Sequence, residues 1–308
     1  MRELLQVPYP SLIIPKPYDF AASICDHGWP MLAPFAWDAE HKSLQRVELL
    51  DTGRVVLLRL TAQDEGNNVQ LQVAVKVDQD LTAAEVQELE GKLRWMLKLD
   101  EDLDAFYAIA AHHNQLSHVA ASGRGRLLRA PTLWEDVVKT ICTTNVSWRN
   151  TVSMVQRLVA QLGAPLAADP ARCAFPTPQQ VAAVDPALFD KEIRLGYRNG
   201  YVIQLAQEIA EGRRDLEALK QNALPGPELR QELRSIKGVG DYAANTLLVL
   251  LGHYHELPVD SAFRSHVKTR HFAHKLATDA PPTDAEMAAM YDHWGDWKAL
   301  GYWFEAGE

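Results

Sequence analysis

The chain has 308 residues, 47% hydrophobic and 23% charged, and carries a net charge of −9 at neutral pH. That length accommodates two domains with separate cores, and the composition is that of an ordinary globular protein, neither disordered nor fibrous. No apolar run reaches the roughly 20 residues needed to span a bilayer, and prolines interrupt the N-terminal MRELLQVPYPSLIIPKPYDF where a secretion signal needs continuous apolar sequence, so a cytoplasmic protein is expected.

In chain order, a helical pattern over 18–28 comes first. VELLDTGRVVLLRLTAQ and NNVQLQVAVKV then alternate as antiparallel strands do, with turns at Asp51-Thr52-Gly53 and Glu65-Gly66-Asn67. A second helix is expected over 82–97. Beyond residue 101 the pattern becomes helix after helix: LDAFYAIAAHH, 132–145, VSMVQRLVAQL, GYVIQLAQEIAEG, ELRQELRSI, AANTLLVLLG and AFRSHVKTRHFAHK. Pro131, Gly163, Pro176, Pro186, Gly196 and Pro225 mark the junctions. The expected fold class is α+β, with an antiparallel-sheet domain and flanking helices over 1–105 and an all-α domain over 106–308.

The three cysteines, Cys25, Cys142 and Cys173, are scattered and lack C-x-x-C spacing, which argues against a disulfide framework, a cysteine-held metal or an iron–sulfur cluster. His253, His255 and Glu256 have no further ligands in sequence, so a side-chain metal site is not expected. The acidic balance alone argues against nucleic acid. The distribution of charge weakens that argument: Arg124, Arg126 and Arg129 are the only charges between Gln115 and Trp134, and 261–275 holds Arg264, Lys268, Arg270 and Lys275 with His266, His271 and His274 and no acid. Either a basic face or two solvated helix surfaces would give that pattern.

The most informative stretch is IKGVGDYAANTLL over 236–248. Two glycines, Gly238 and Gly240, separate one helical pattern from the next, and Asp241 is placed to cap the second. Such a turn lets a ligand approach the backbone, and the second helix offers it free N–H groups and a positive dipole end. A phosphate suits that position; a tight corner between helices without ligand is the plainer alternative. Twenty residues on, LPVDSAFRSHV places Asp260 just ahead of a basic helix, where it would serve as a helix cap.

Together, L-x-x-I-K-G-V-G-x-Y-A-A and P-V-D-S resemble the helix–hairpin–helix DNA glycosylase superfamily, in the branch of 3-methyladenine DNA glycosylase II and the 8-oxoguanine glycosylases. RAPTLWEDVVKTICTTNVSWRNTVSMVQRLVAQLG resembles the opening of that family's helical domain, LGYRNGYVIQLAQEIAEG the segment before the hairpin, and 1–100 its N-terminal antiparallel domain. The resemblance implies base excision from double-stranded DNA. It implies phosphate contact at Gly238, Val239 and Gly240 and a catalytic carboxylate at Asp260. It implies a side chain of the CTTNVSW loop, Asn145 or Val146, filling the stack where a base is flipped out, and Arg198 holding the orphaned base. No cofactor is expected, although the family allows a monovalent or divalent cation at the hairpin backbone. A monomer is expected, without membrane attachment, and associated with the nucleoid in a bacterium.

Where bifunctional relatives carry a lysine that attacks the sugar, this sequence has Tyr242. Without that amine no Schiff base forms there, which leaves hydrolysis. Alkylation-repair members carry an aromatic at this position and a C-terminal Trp-Arg motif. GDWKALGYW supplies Trp297 in a comparable place. Two aromatic faces suit a cationic alkylated purine, although core packing would also explain either ring. Asn145 and Tyr197-Arg198 match the 8-oxoguanine branch instead. The leading expectation is a monofunctional glycosylase for alkylated purines. The alternatives are oxidised or deaminated bases, or a non-catalytic DNA-binding module.

Overall fold

The protein is described by a computed structural model covering residues 5–113, 115–221, 224–273 and 281–307. The strands are β1 (Leu5–Pro8), β2 (Leu12–Pro15), β3 (Phe35–Asp38), β4 (Ser43–Leu49), β5 (Val55–Glu65) and β6 (Asn68–Val77), with a small β7–β8 hairpin (Pro165–Leu166, Asp169–Cys173). The helices are α1 (Phe20–Cys25), α2 (Ala83–Met96), α3 (Asp104–Ala110), α4 (Ser117–Ser122), α5 (Leu133–Thr143), α6 (Trp148–Leu162), α7 (Pro178–Ala182), α8 (Pro186–Leu188), α9 (Asn199–Ala210), α10 (Ala218–Gln221), α11 (Gly226–Arg234), α12 (Asp241–Leu250), α13 (Ser261–His271), α14 (Asp284–Ala289) and α15 (Lys298–Ala306).

The antiparallel sheet runs β1-β6-β5-β4-β3, with β2 also on β6. Both expected turns form, with Gly53 at φ 83° and Gly66 at φ 57° supplying the left-handed backbone that a side chain would strain. The register pairs Leu44 with Leu60, Leu58 with Val75 and Leu60 with Val73, all buried, so the period-2 alternation of the sequence becomes one apolar face. Thr82 and Glu85 close a reciprocal capping box at the start of α2. Two features were not anticipated. β1 to β3 are each four residues long, too short for alternation to register, and β7–β8 interrupts a region read as all helix.

The packing divides the chain into two compact units, 1–101 with 126–222, and 102–125 with 223–308. The change of character near residue 105 is thus a change in local structure, while the sheet shares its unit with the helices over 126–222. The reason lies in α5. Its residues Leu133–Cys142 are all buried, including Glu135, Asp136 and Lys139. Arg46 on β4 donates Nη1 and Nη2 to the Glu135 carboxylate at 2.9 and 2.6 Å, and Nε to Glu48 at 2.6 Å. Lys139 reaches Glu135 at 2.6 Å and lies 4.6 Å from the Phe35 ring centroid. Burial works against the Glu135 charge, but Arg46 and Lys139 outweigh it and hold the carboxyl below the usual range. No helix among the described residues is long and apolar enough to cross a membrane.

Candidate active site

In the unit formed by 102–125 and 223–308, α11 leads into the glycine hairpin. Ile236 and Val239 are buried, and the Val239 N–H closes the turn on the Ile236 carbonyl at 3.0 Å. Gly238 sits at φ 93°, a conformation that excludes most side chains. The helix cap differs from the sequence expectation. Gly240, extended at φ −88° and ψ −171°, is the N-cap of α12, and no side chain caps it. Asp241 is instead the first helical residue, turned back to Arg230 at 2.9 Å and Arg234 at 3.0 Å. The cap position of α12 therefore carries no side chain over the helix start, and a Cβ built on Gly240 meets nothing within 4 Å.

Asn245, one turn into α12, fixes the connection that follows. Its Nδ2 donates to the Leu257 carbonyl at 2.7 Å, and its Oδ1 accepts from Arg230 Nε at 2.8 Å. That connection delivers Asp260 to the N-cap of α13, where Oδ1 accepts the Phe263 N–H at 2.7 Å. The carboxylate is half-buried. Tyr302 of α15 is buried beside it, with its ring 5.0 Å from Phe263. Burial, then the Asp260 charge and then Tyr242 push the Tyr302 phenol well above its usual value. Asp260 and Tyr242 thus share one buried neighbour, which no sequence signal announced. Trp297 is packed differently, stacked on Tyr254 at 5.3 Å and tilted against Phe106 at 5.9 Å.

Behind this group, Glu305 of α15 accepts from the Tyr291 hydroxyl and lies within 3.1 Å of His271 and 3.4 Å of His266, both on α13. Burial works against its charge, but these partners hold the carboxyl below the usual range. The helix that carries Asp260 is thereby tied to the helix that carries Tyr302. Arg264 is spent on Asp284, both nitrogens at 2.8 Å. His274 and Lys275 of the same basic stretch lie outside the described residues. The other basic stretch is also drawn inward: Arg124 lies over Phe304, Arg126 donates to the Glu101 carbonyl, and Arg129 lies 3.3 Å over Trp95. These arginines do not form the basic face the sequence allowed for.

In the unit formed by 1–101 and 126–222, the loop between α5 and α6 carries Asn145 and Val146. Asn145 is exposed and left-handed at φ 46°, and Val146 is half-buried. Arg198 is buried, with its guanidinium donating to the carbonyls of Ile141, Thr144 and Leu195. Tyr197 is 56% exposed and lies over that guanidinium at 4.3 Å. Cys25 is exposed, Cys142 and Cys173 are buried, and all three are free thiols. His253 and His255 meet edge to face at 6.0 Å, with His255 packed on Gly226.

Residues 138–299, more than half of the chain, match the HhH-GPD superfamily of base excision DNA repair proteins. The chain belongs to that superfamily. Comparison with curated proteins gives no match. Among solved structures, this HhH-GPD protein is similar to a 3-methyladenine DNA glycosylase from Archaeoglobus fulgidus, with TM-score 0.74 and 17% identity over 96% of this chain and 97% of that one. It is also similar to the 8-oxoguanine glycosylase/lyase of Clostridium acetobutylicum, with TM-score 0.70 and 16% identity over 99% of both chains. A third similar structure is MBOgg1 in complex with a low-affinity DNA ligand, with TM-score 0.69 and 19% identity over 99% of this chain and 98% of that one. At these identities the likeness establishes the glycosylase fold, and the alkylated-base and oxidised-base proteins share it.

Proposed function

We propose that this HhH-GPD protein is a monofunctional DNA N-glycosylase that flips alkylated purines out of double-stranded DNA and releases them by hydrolysis. The observation that carries the reading is Tyr242 in the first turn of α12, where a lyase needs an amine, with Asp260 beside the same buried phenol. Water adds to the sugar C1′ as the N-glycosidic bond breaks, the base leaves with the bonding pair, and the water proton passes to solvent. An alkylated purine leaves as a neutral molecule, so no dedicated acid is needed. The sugar becomes oxocarbenium-like on the way. At ~4 Å and an effective dielectric near 20, an ionised Asp260 would stabilise that charge by about 4 kcal/mol, roughly a thousandfold in rate.

The glycine hairpin, with open space at Gly240 and no side chain capping α12, supports phosphate binding, which anchors the duplex without reading its sequence. Tyr242 and Trp297 are assigned to the flipped base, Val146 with Asn145 to the gap it leaves. The second reading, oxidised purines, draws on Asn145 and Tyr197-Arg198.

The deciding experiment is a panel of single-lesion duplexes containing 3-methyladenine, 7-methylguanine, hypoxanthine or 8-oxoguanine, assayed with and without alkali. Release of the methylated bases, with strand breaks only after alkali and no borohydride-trapped adduct, is the expected result. Release of 8-oxoguanine alone would favour the second reading, and trapping would overturn the monofunctional mechanism.

A further inference from the structure

We infer that Arg198 is a positioning residue that holds the α5–α6 loop from behind, and does not itself read the base left unpaired by flipping; this rests on the glycosylase reading above. The last carbonyls of a helix have no partner within it. At the end of α5 those groups point at Arg198. Nε donates to the Ile141 carbonyl at 3.1 Å and to Thr144 Oγ1 at 3.3 Å, Nη2 donates to the Thr144 carbonyl, and Nη1 donates to the Leu195 carbonyl at 3.3 Å. Each nitrogen of the fork is engaged, the residue is 4% exposed, and its charge sits at the negative end of the α5 dipole. To reach a nucleobase it would have to give up every one of these bonds, leaving the Ile141 carbonyl to the Thr144 N–H and hydroxyl alone and the Thr144 carbonyl without the guanidinium.

The residue it fixes is Thr144, directly before Asn145. Asn145 takes φ 46°, a left-handed conformation that asparagine tolerates but does not prefer. Next to Thr144, both Asn145 and Tyr197 face solvent, the latter with its ring over the guanidinium. The arginine sets their position by clamping the peptide between them.

The test has two arms, both on the full chain. In the first, hydrogen exchange of amides 144–147 is followed without DNA in the native protein, Arg198→Gln and Arg198→Lys. Faster exchange in Arg198→Gln, with Arg198→Lys between it and native, is expected; unchanged protection overturns the inference. In the second, affinity is measured for duplexes with a tetrahydrofuran abasic analogue opposite each of the four bases. Arg198→Gln should lose roughly tenfold or more, by the same factor opposite every base, with affinity for undamaged duplex held within about twofold. A loss confined to one opposite base would make Arg198 a reader and overturn the inference. If Arg198→Gln does not fold, Arg198→Lys carries the same comparison. If the native protein shows no preference for abasic duplex, the glycosylase reading fails, and the exchange arm alone decides whether Arg198 holds the loop.

Discussion

Phe263 gives its main-chain N–H to Asp260 Oδ1 at 2.7 Å, and Oδ2 receives no hydrogen bond from the described residues. Under the proposed mechanism, capping the helix and stabilising a developing cation would fall to different oxygens of one carboxylate. Asparagine caps a helix about as well as aspartate, so Asp260→Asn should fold with less than ~1 kcal/mol lost. Single-turnover base release should fall by about two orders of magnitude or more while duplex affinity stays within a few fold. Turnover near the native rate would reduce Asp260 to a cap.

The two hairpin glycines should fail in different ways. At Gly238, φ 93° makes any side chain strained, so Gly238→Ala should destabilise the protein by about 1 kcal/mol or more, measured by urea unfolding. Gly240 has extended backbone and open space around a built Cβ, so Gly240→Val should fold normally. Its deficit should appear in DNA affinity, equal for damaged and undamaged duplex. A loss restricted to lesion-bearing duplex would contradict phosphate contact there.

The aromatic pair separates by packing. Trp297 supports Tyr254 and Phe106, so Trp297→Ala should cost about 3 kcal/mol of stability as well as activity. Tyr242 is half-buried near the start of α12, and Tyr242→Ala should spare the fold. If its ring faces a cationic base, excision of 7-methylguanine should drop roughly 2- to 30-fold more than that of hypoxanthine. An equal drop would remove cation–π recognition from the account.

A fourth expectation concerns pH. Burial pushes the Asp136 carboxyl up to about 7 inside the first unit, where Oδ1 accepts from Trp29 Nε1 at 2.6 Å and the Ala130 N–H at 2.9 Å. Between about pH 4 and 7 the folded chain holds a proton there that the unfolded chain has released, so this contribution is fully present below pH 4 and fades as pH rises through 7. Burial also pushes His27, packed 4.0 Å from Trp29, down to about 4; its contribution is present above pH 6.5 and fades as pH falls through 4. The two slopes oppose each other in the native protein. Asp136→Asn removes one of them, so its stability should rise relative to native by on the order of 4 kcal/mol from pH 4 to 7.5 in urea unfolding. Parallel profiles would show that Asp136 does not titrate in that window.

Local patterns were the legible part of this protein. The β5–β6 hairpin, the helix expected over 82–97, the glycine hairpin and the position of Asp260 follow from features within a few residues, because turn geometry and helical spacing are local physics. What escaped depends on distant partners. Nothing near Tyr302 or Glu305 in sequence tells that the fold sets them behind Asp260. The arginines at 124, 126 and 129 read as part of either a basic face or a solvated helix surface, yet their long stems carry them onto rings and carbonyls of their own units. Asp241 looked like a cap because a carboxylate at a helix start usually is one, but Arg230 and Arg234 claim it and the glycine before it takes the place.

With Arg46 of β4 gripping Glu135 of α5, the sheet and the helices over 126–222 have no seam between them. A fragment starting at 106 would present the α5 surface that now lies against Phe35 and Arg46 to water, and one starting at 138 would carry Lys139 without its carboxylate. The strands are not an appendage that recombination could exchange while sparing the rest. A chimera that borrows the sheet from a relative must bring the arginine's counterpart with it, so the two segments are transferable only as a matched pair.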